Sequence, residues 1–346
     1  MRLCRKFGGN ACGFPWGRTK GLLAGLTALL LLGGLEARAQ QGFDPGLAGI
    51  QVQCQGRTLQ YNIESIFLLP GELVRLQVPA SDQQPACEIR VSTGRVLQTA
   101  SDEFKWHPPS RPGVYTAELA VPAGGQRLTL QAFVLVPFSR LKSKKMNGYR
   151  IGRYPQPASR GLVKYGTPRG WVEATPENLE LAVSPHFKLG QFVCKQGGEF
   201  PKYLMLDERL LAKMEKLLAA VNDQGRACST LAVLSGYRTP EYNRKLGNVA
   251  YSSHVWGWAA DVYVDADRDG RMDDVNRDGR VNLLDAYWLF QLADSLDCEP
   301  ETMDLTGGLG LYPATAIHGP FVHMDVRGRP ARWGLQRLRP VWAEKP

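Results

Sequence analysis

His254 and Asp261 stand seven apart in Ser252-Ser-His-Val-Trp-Gly-Trp-Ala-Ala-Asp-Val262, and His323 stands in Phe321-Val-His-Met-Asp-Val326. Two imidazoles and a carboxylate are a common ligand set for catalytic zinc, because three protein ligands leave a fourth position for the attacking water. A fold that uses all three must bring the two segments to one point, and nothing else in the chain constrains it as much. The sequence holds five histidines, two of them in these segments. Gly257 and Ala259 lie between the first two ligands, small residues where a backbone packs closely.

The first forty residues differ from the rest. Arg2, Arg5, Lys6, Arg18 and Lys20 precede the apolar run Gly21 to Leu35, and Ala37-Arg38-Ala39 offers a small-x-small cleavage site. This is the pattern of a secretory signal peptide over residues 1–39. The apolar run, about 15 residues, falls short of the roughly 20 that a spanning helix needs. The chain is therefore expected to be exported, to the periplasm or cell wall, with no stable membrane span after cleavage. Removing residues 1–39 takes away six basic residues and one acidic one, so the formal charge of +9 falls by 5 to +4. That surplus is mild, and no nucleic-acid partner is expected. Cys54, Cys87, Cys194, Cys228 and Cys298 remain, an odd number in a compartment where disulfides persist.

Residues 43–138 hold short alternating stretches such as Glu72-Leu-Val-Arg-Leu-Gln-Val78 and Cys87-Glu-Ile-Arg-Val91, separated by Pro and Gly turns. Period-two patterning at this spacing predicts a small all-β sandwich. Trp106 and Pro112-Gly-Val-Tyr115 resemble immunoglobulin-like domains, with Cys54 and Cys87 as the candidate staple. Residues 139–179 turn basic and rich in Gly, Pro and Tyr, as in Lys142-Ser-Lys-Lys145, and read as a basic linker that can pack on its neighbours, its basic run solvated rather than set on anionic glycan or a membrane. A second domain is expected over 180–336. Within it Asp207 can cap a helix carrying Leu210, Leu211, Met214, Leu217, Leu218 and Val221 at helical spacing.

Ser252, His254, Gly257, Ala259, Asp261, His323 and Asp325 resemble the zinc D-Ala-D-Ala carboxypeptidase and murein endopeptidase family, whose pattern is Ser-x-His-x-x-Gly-x-Ala-x-Asp and a later His-x-Asp strand. Ser235-Gly-Tyr-Arg-Thr-Pro240, Gly307-Gly-Leu-Gly-Leu-Tyr-Pro313 and Arg332-Trp333 extend the resemblance to roughly residues 185–334. It implies an α+β domain with zinc on a central antiparallel sheet, peptidoglycan stem peptides as substrate class, and Arg238 on a substrate carboxylate. Several branches of the family place an acidic general base three positions before the last histidine ligand, where this chain has Pro320. Asp325 shares a strand face with His323 and is one candidate base, or a carboxylate that orients a ligand imidazole. His318 is the second candidate. The readings that follow are a murein endopeptidase, a D-Ala-D-Ala carboxypeptidase, or a non-catalytic zinc-containing wall-binding protein.

Residues 265–285 form an insertion of another kind. Asp274, Asn276, Asp278, Gly279, Arg280, Asn282 and Asp285 fall at loop positions ~1, 3, 5, 6, 7, 9 and 12 of an EF-hand, oxygen donors at alternate positions with a glycine at the sharp turn. The Asp at the last position resembles dockerin loops. Asp265, Asp267, Asp269, Gly270 and Asp273 begin the same pattern, so calcium is expected at one site and a second ion would compete for Asn276.

Overall fold

Alternation along the first part of the chain becomes two packed sheets. Strands β1 (Leu47–Cys54), β2 (Arg57–Tyr61), β4 (Val74–Gln77), β6 (Arg95–Ala100) and β7 (Glu103–His107) pair in the order β2-β1-β4-β7-β6. Strands β3 (Ile63–Leu68), β5 (Glu88–Val91), β8 (Gly113–Ala120) and β9 (Arg127–Val134) pair in the order β3-β9-β8-β5. Val74 and Leu76 are buried while Arg75 and Gln77 are exposed, since neighbouring side chains on a strand point to opposite faces. Leu76, Phe104 and Trp106 from one sheet and Leu119 and Leu130 from the other share a core, with the Trp106 N–H on the Thr93 carbonyl at 3.1 Å. Tyr115, at the start of β8, turns its hydroxyl back to the Arg111 carbonyl at 2.9 Å, a corner of the kind that braces immunoglobulin-type sandwiches. The expected Cys54–Cys87 staple is corrected, because both are free thiols. Cys54 lies in the apolar core, where burial pushes its thiol up to about 12.

The computed structural model describes residues 42–79, 87–122, 125–156 and 165–338. The expected leader at 1–39 lies outside them. Among the described residues no helix is long and apolar enough to cross a membrane. Those from Phe43 on belong to one compact unit, and the segment 139–179 shows why. There β10 (Val136–Pro137) leads to a hairpin of β11 (Lys145–Met146) and β12 (Tyr149–Arg150), then to β13 (Gly170–Ala174), which pairs with β10. A second hairpin, β14 (Ala182–Ser184) with β15 (Phe187–Lys188), precedes β16 (Lys202–Leu204), which pairs with β13. Met146, Tyr149, Ile151, Tyr154, Trp171 and Val172 are buried in the larger core, so the segment expected as a linker is structural. Tyr154 and Tyr237 share a hydroxyl hydrogen bond of 2.8 Å, and the Trp171 N–H reaches both oxygens at 3.2 and 3.1 Å.

Helix α1 (Glu208–Asp223) begins at Asp207, whose carboxylate accepts the Arg209 N–H at 2.9 Å, and it buries the six apolar residues predicted for its inner face. Strands β17 (Ala232–Ser235), β18 (Ala259–Tyr263), β19 (Gly308–Tyr312), β20 (Phe321–Asp325) and β21 (Ala331–Trp333) form a sheet in the order β17-β18-β20-β19-β21. It is antiparallel except that β21 joins β19 in parallel, a correction at one edge to the expected antiparallel sheet. Helix α2 (Pro240–Lys245) follows β17, and α3 (Leu283–Leu296) packs on β19 and β20. Pairing of β18 with β20 sets Asp261 against His323 and Ala259 against Asp325. Because a strand alternates its faces, Ala260, Val262, Val322 and Met324 join the helices in the core while Asp261, His323 and Asp325 share the other face.

Candidate metal centre and its cleft

His254 reaches this face from the short turn Ser253–Trp256, which ends at Gly257 with φ of 70°. A Cβ there would stand 2.3 Å from the Met205 carbonyl oxygen, so the position accepts only glycine. His254 Nδ1 is 2.7 Å from the Gly236 carbonyl, an acceptor only, so Nδ1 carries the hydrogen and Nε2 is left bare. His323 Nε2 is 3.1 Å from the Asp325 carboxylate and donates to it, which leaves Nδ1 bare. His254 Nε2, His323 Nδ1 and Asp261 Oδ1 then meet at 3.1, 3.2 and 3.0 Å from one another, all buried. Tetrahedral zinc bound at about 2.0–2.1 Å spaces its ligand atoms roughly 3.3 Å apart, so this donor set fits the ion.

Electrostatics favour a cation at the same point. Burial lowers the His254 imidazole. Burial would raise Asp261, but His254, His323 and Arg238 outweigh it and hold the carboxyl well below its usual range. Burial also opposes charge on His323, yet Asp261 and Asp325 together raise it. Carboxylates that favour a proton on His323 favour a metal ion in its place.

Asp325 is fully buried on the far side of His323 from that meeting point. Its carboxylate accepts the Gly308 N–H at 2.8 Å, the Arg327 N–H at 3.0 Å, the Ser253 hydroxyl at 3.3 Å and the Arg327 guanidinium. Burial alone would push it up, but His323 and Arg327 hold it well below the ordinary range. Asp325 is thus bonded to His323 and is not among the residues lining the cleft, an arrangement that favours the orienting carboxylate over the base. Asp325→Asn is expected to lower zinc affinity roughly 10–100-fold and to destabilise the fold by about 3 kcal/mol, because Arg327 loses a buried anionic partner. Zinc titration and denaturant unfolding read the two effects, and unchanged values for both would remove Asp325 from the centre.

His254, Asp261 and His323 lie in an open cleft of about 750 Å³, whose lining includes His318, Tyr312, Phe321, Tyr251, Arg238 and Lys195. His318 is half-buried, edge-on to Phe321 at 5.0 Å, with Nδ1 on the Gly319 carbonyl at 2.8 Å, so its Nε2 is bare. Arg238, expected on a substrate carboxylate, lines the cleft and gives Nη2 to Asp261 and Nε to Ser235 at 2.8 Å. Lys195, which sequence reasoning passed over, is exposed on the cleft lining and close enough for Asp261 and Arg238 to act on it electrostatically. Trp333 lies 5.1 Å from the His323 ring, over Gly310, where a Cβ would stand 2.3 Å from the indole.

The 265–285 insertion closes as two turns of one design. Asp265 accepts the N–H groups of Asp269 and Gly270 at 3.0 and 3.1 Å, and Asp274 accepts those of Asp278 and Gly279 at 3.1 and 2.8 Å. Asp267 and Asn276 each accept from the residue two further on, and Asp269 and Asp278 from Arg271 and Arg280. Carboxylate oxygens of Asp265, Asp267 and Asp269 lie within 4.8 Å of one another. Asp273 turns to the Ala266 N–H at 2.8 Å. Asn282 caps α3, and the buried Asp285 accepts the Asn276 and Asn282 N–H groups at 3.2 and 2.8 Å.

Compared with known families, the chain matches the model of the Peptidase M15 family over residues 185–284, a stretch that holds His254 and Asp261 and ends before His323. The match supports a metallopeptidase. A search of the curated proteins finds no match.

Proposed function

We propose that this chain is a zinc metallopeptidase that hydrolyses peptidoglycan stem peptides or their cross-links, a murein endopeptidase. The observation that carries the reading is the convergence of three bare ligand atoms in an open cleft, on residues that follow a zinc peptidase pattern. Zinc held by His254, Asp261 and His323 would supply Lewis acidity toward a peptide carbonyl and toward water. His318 takes the proton of the attacking water at Nε2, since position 320 is proline and Asp325 is turned away. Arg238, whose Nη1 is used by neither Asp261 nor Ser235, holds a substrate carboxylate, with Lys195 beside it on the cleft lining. Asp325 and the Gly236 carbonyl keep the two imidazoles in the tautomers that bind metal. In this reading the first 39 residues export the chain to the periplasm or cell wall, and an immunoglobulin-like module over 43–138 accompanies the peptidase domain.

Digestion of purified muropeptides, with products identified by mass, tests the proposal. Cleaved cross-linked dimers support the endopeptidase. Release of terminal D-Ala alone makes the chain a D-Ala-D-Ala carboxypeptidase. Intact substrates after incubation with zinc-loaded protein leave a zinc-containing wall-binding protein.

The insertion is read as a calcium loop on Asp274, Asn276, Asp278, Arg280, Asn282 and Asp285, supported by its EF-hand spacing and by the backbone turns that Asp274, Asn276 and Asp278 cap. An ion that binds only the folded state at a hundred times its Kd adds about 2.7 kcal/mol, so melting should rise with calcium. Asp274→Ala with Asp278→Ala should erase most of that rise and leave zinc content unchanged. Identical melting in calcium and in a calcium-selective chelator would sink the idea.

A further inference from the structure

The basic run at 142–145 has no part in the cleft. It borders a separate cavity of about 530 Å³ whose lining includes Arg111, Arg140, Lys142, Lys145, Asn147 and Glu173, and which shares no lining residue with the cleft. Among the described residues none of the four cations is ion-paired. Glu173, the one acid, accepts the Tyr203 hydroxyl at 2.8 Å, and Asn147 donates to that hydroxyl at 2.6 Å. Four cations and one carboxylate leave the lining at +3.

The cations stand on a fixed backbone. Lys142 and Lys145 exchange both main-chain hydrogen bonds, at 3.0 and 2.8 Å, around Ser143 and Lys144. These two residues have φ of 49° and 65°, a conformation that disfavours any residue with a Cβ. The Lys144 carbonyl accepts the Ile151 and Gly152 N–H groups at 2.9 and 3.0 Å and holds the turn in place. Four exposed cations around one cavity, with a single acid among them, give it a positive field that attracts a multivalent anion. None of the large apolar side chains exposed among the described residues lines the cavity, so nothing there would insert into a bilayer and any anionic partner is held by charge.

We propose that this cavity binds an anionic polymer of the cell wall through its phosphodiester or carboxylate groups. Arginine and lysine together suit such groups, the first as a planar fork and the second as a point charge. The choice of the wall as source rests on the function proposed above, while the preference for a polyanion comes from the charge of the cavity lining.

Co-sedimentation on ice tests it, using the full chain with insoluble cell wall, with wall stripped of phosphodiester polymers by cold hydrofluoric acid, and with vesicles of anionic phospholipid. Wild-type protein should bind untreated wall, less so as salt rises. A variant carrying Arg140→Gln, Lys142→Gln and Lys145→Gln keeps the main-chain bonds of the turn and should lose at least about tenfold in affinity at low salt. It should cleave a small soluble muropeptide at the wild-type rate. Binding that survives the acid treatment assigns the wall's carboxylates as partner, and binding lost with it assigns the phosphodiesters; both support the cavity. Undiminished wall binding by the triple variant, or binding confined to vesicles, overturns the proposal. If neither protein cleaves the muropeptide, the peptidase reading fails while the sedimentation still decides this one.

Discussion

His254→Ala is expected to lose its zinc and, with it, more activity than the 10–100-fold typical of removing a partner one shell further out. Alanine leaves two ligands, Asp261 and His323, whose facing atoms are 3.0 Å apart. Two ligands do not define a tetrahedral site. The substitution also strips the buried Gly236 carbonyl of its donor, which costs about 1–3 kcal/mol in stability. Metal analysis after dialysis, activity on muropeptides and thermal melting separate these effects. A variant that kept full zinc content and turnover would move the centre elsewhere.

His318→Ala should behave in the opposite way, keeping its zinc and its melting temperature while kcat falls by about 10²–10⁴. The residue is half-buried on the same cleft wall as the triad without being one of its three members, and its loss removes the bond to the Gly319 carbonyl on an exposed loop and the edge contact with Phe321. A proton acceptor acts in the transition state, so KM should move little. Added imidazole should restore part of the rate, because a small base can enter the space the side chain leaves. An undiminished kcat would assign the proton to another group.

The proposed ligand triad was legible in sequence because histidine is rare in this chain and because His254, Asp261 and His323 follow a zinc peptidase pattern. The role of Asp325 was only half legible. Strand alternation places it on the face of His323, as the structure shows. Which imidazole nitrogen turns inward is a matter of rotamer and hydrogen bonding, and that choice decides between a base and a brace. Helix α1 followed from its period and its Asp207 cap. Residues 139–179 did not yield to the same reasoning, because their strands run two to five residues and their burial rests on aromatic rings between Gly and Pro turns. Lys195 carries no signal of its own, being one lysine in a glycine-rich loop. Gly308 and Gly310 stood out only as part of a motif, and the clearance they give Trp333 depends on β21 returning beside β19.

The hydroxyl triangle of Tyr154, Trp171 and Tyr237 limits how this protein can be dismantled. Tyr237 immediately precedes Arg238, the arginine that grips Asp261, while its two partners come from the segment that follows the sandwich. A fragment beginning near residue 180 would keep every metal ligand and still lack the groups that satisfy a buried hydroxyl next to the loop bracing one of them. The catalytic half is therefore not a transplantable cassette. Grafting it onto another carrier would require the segment from Val136, which holds Tyr154 and Trp171, to travel with it.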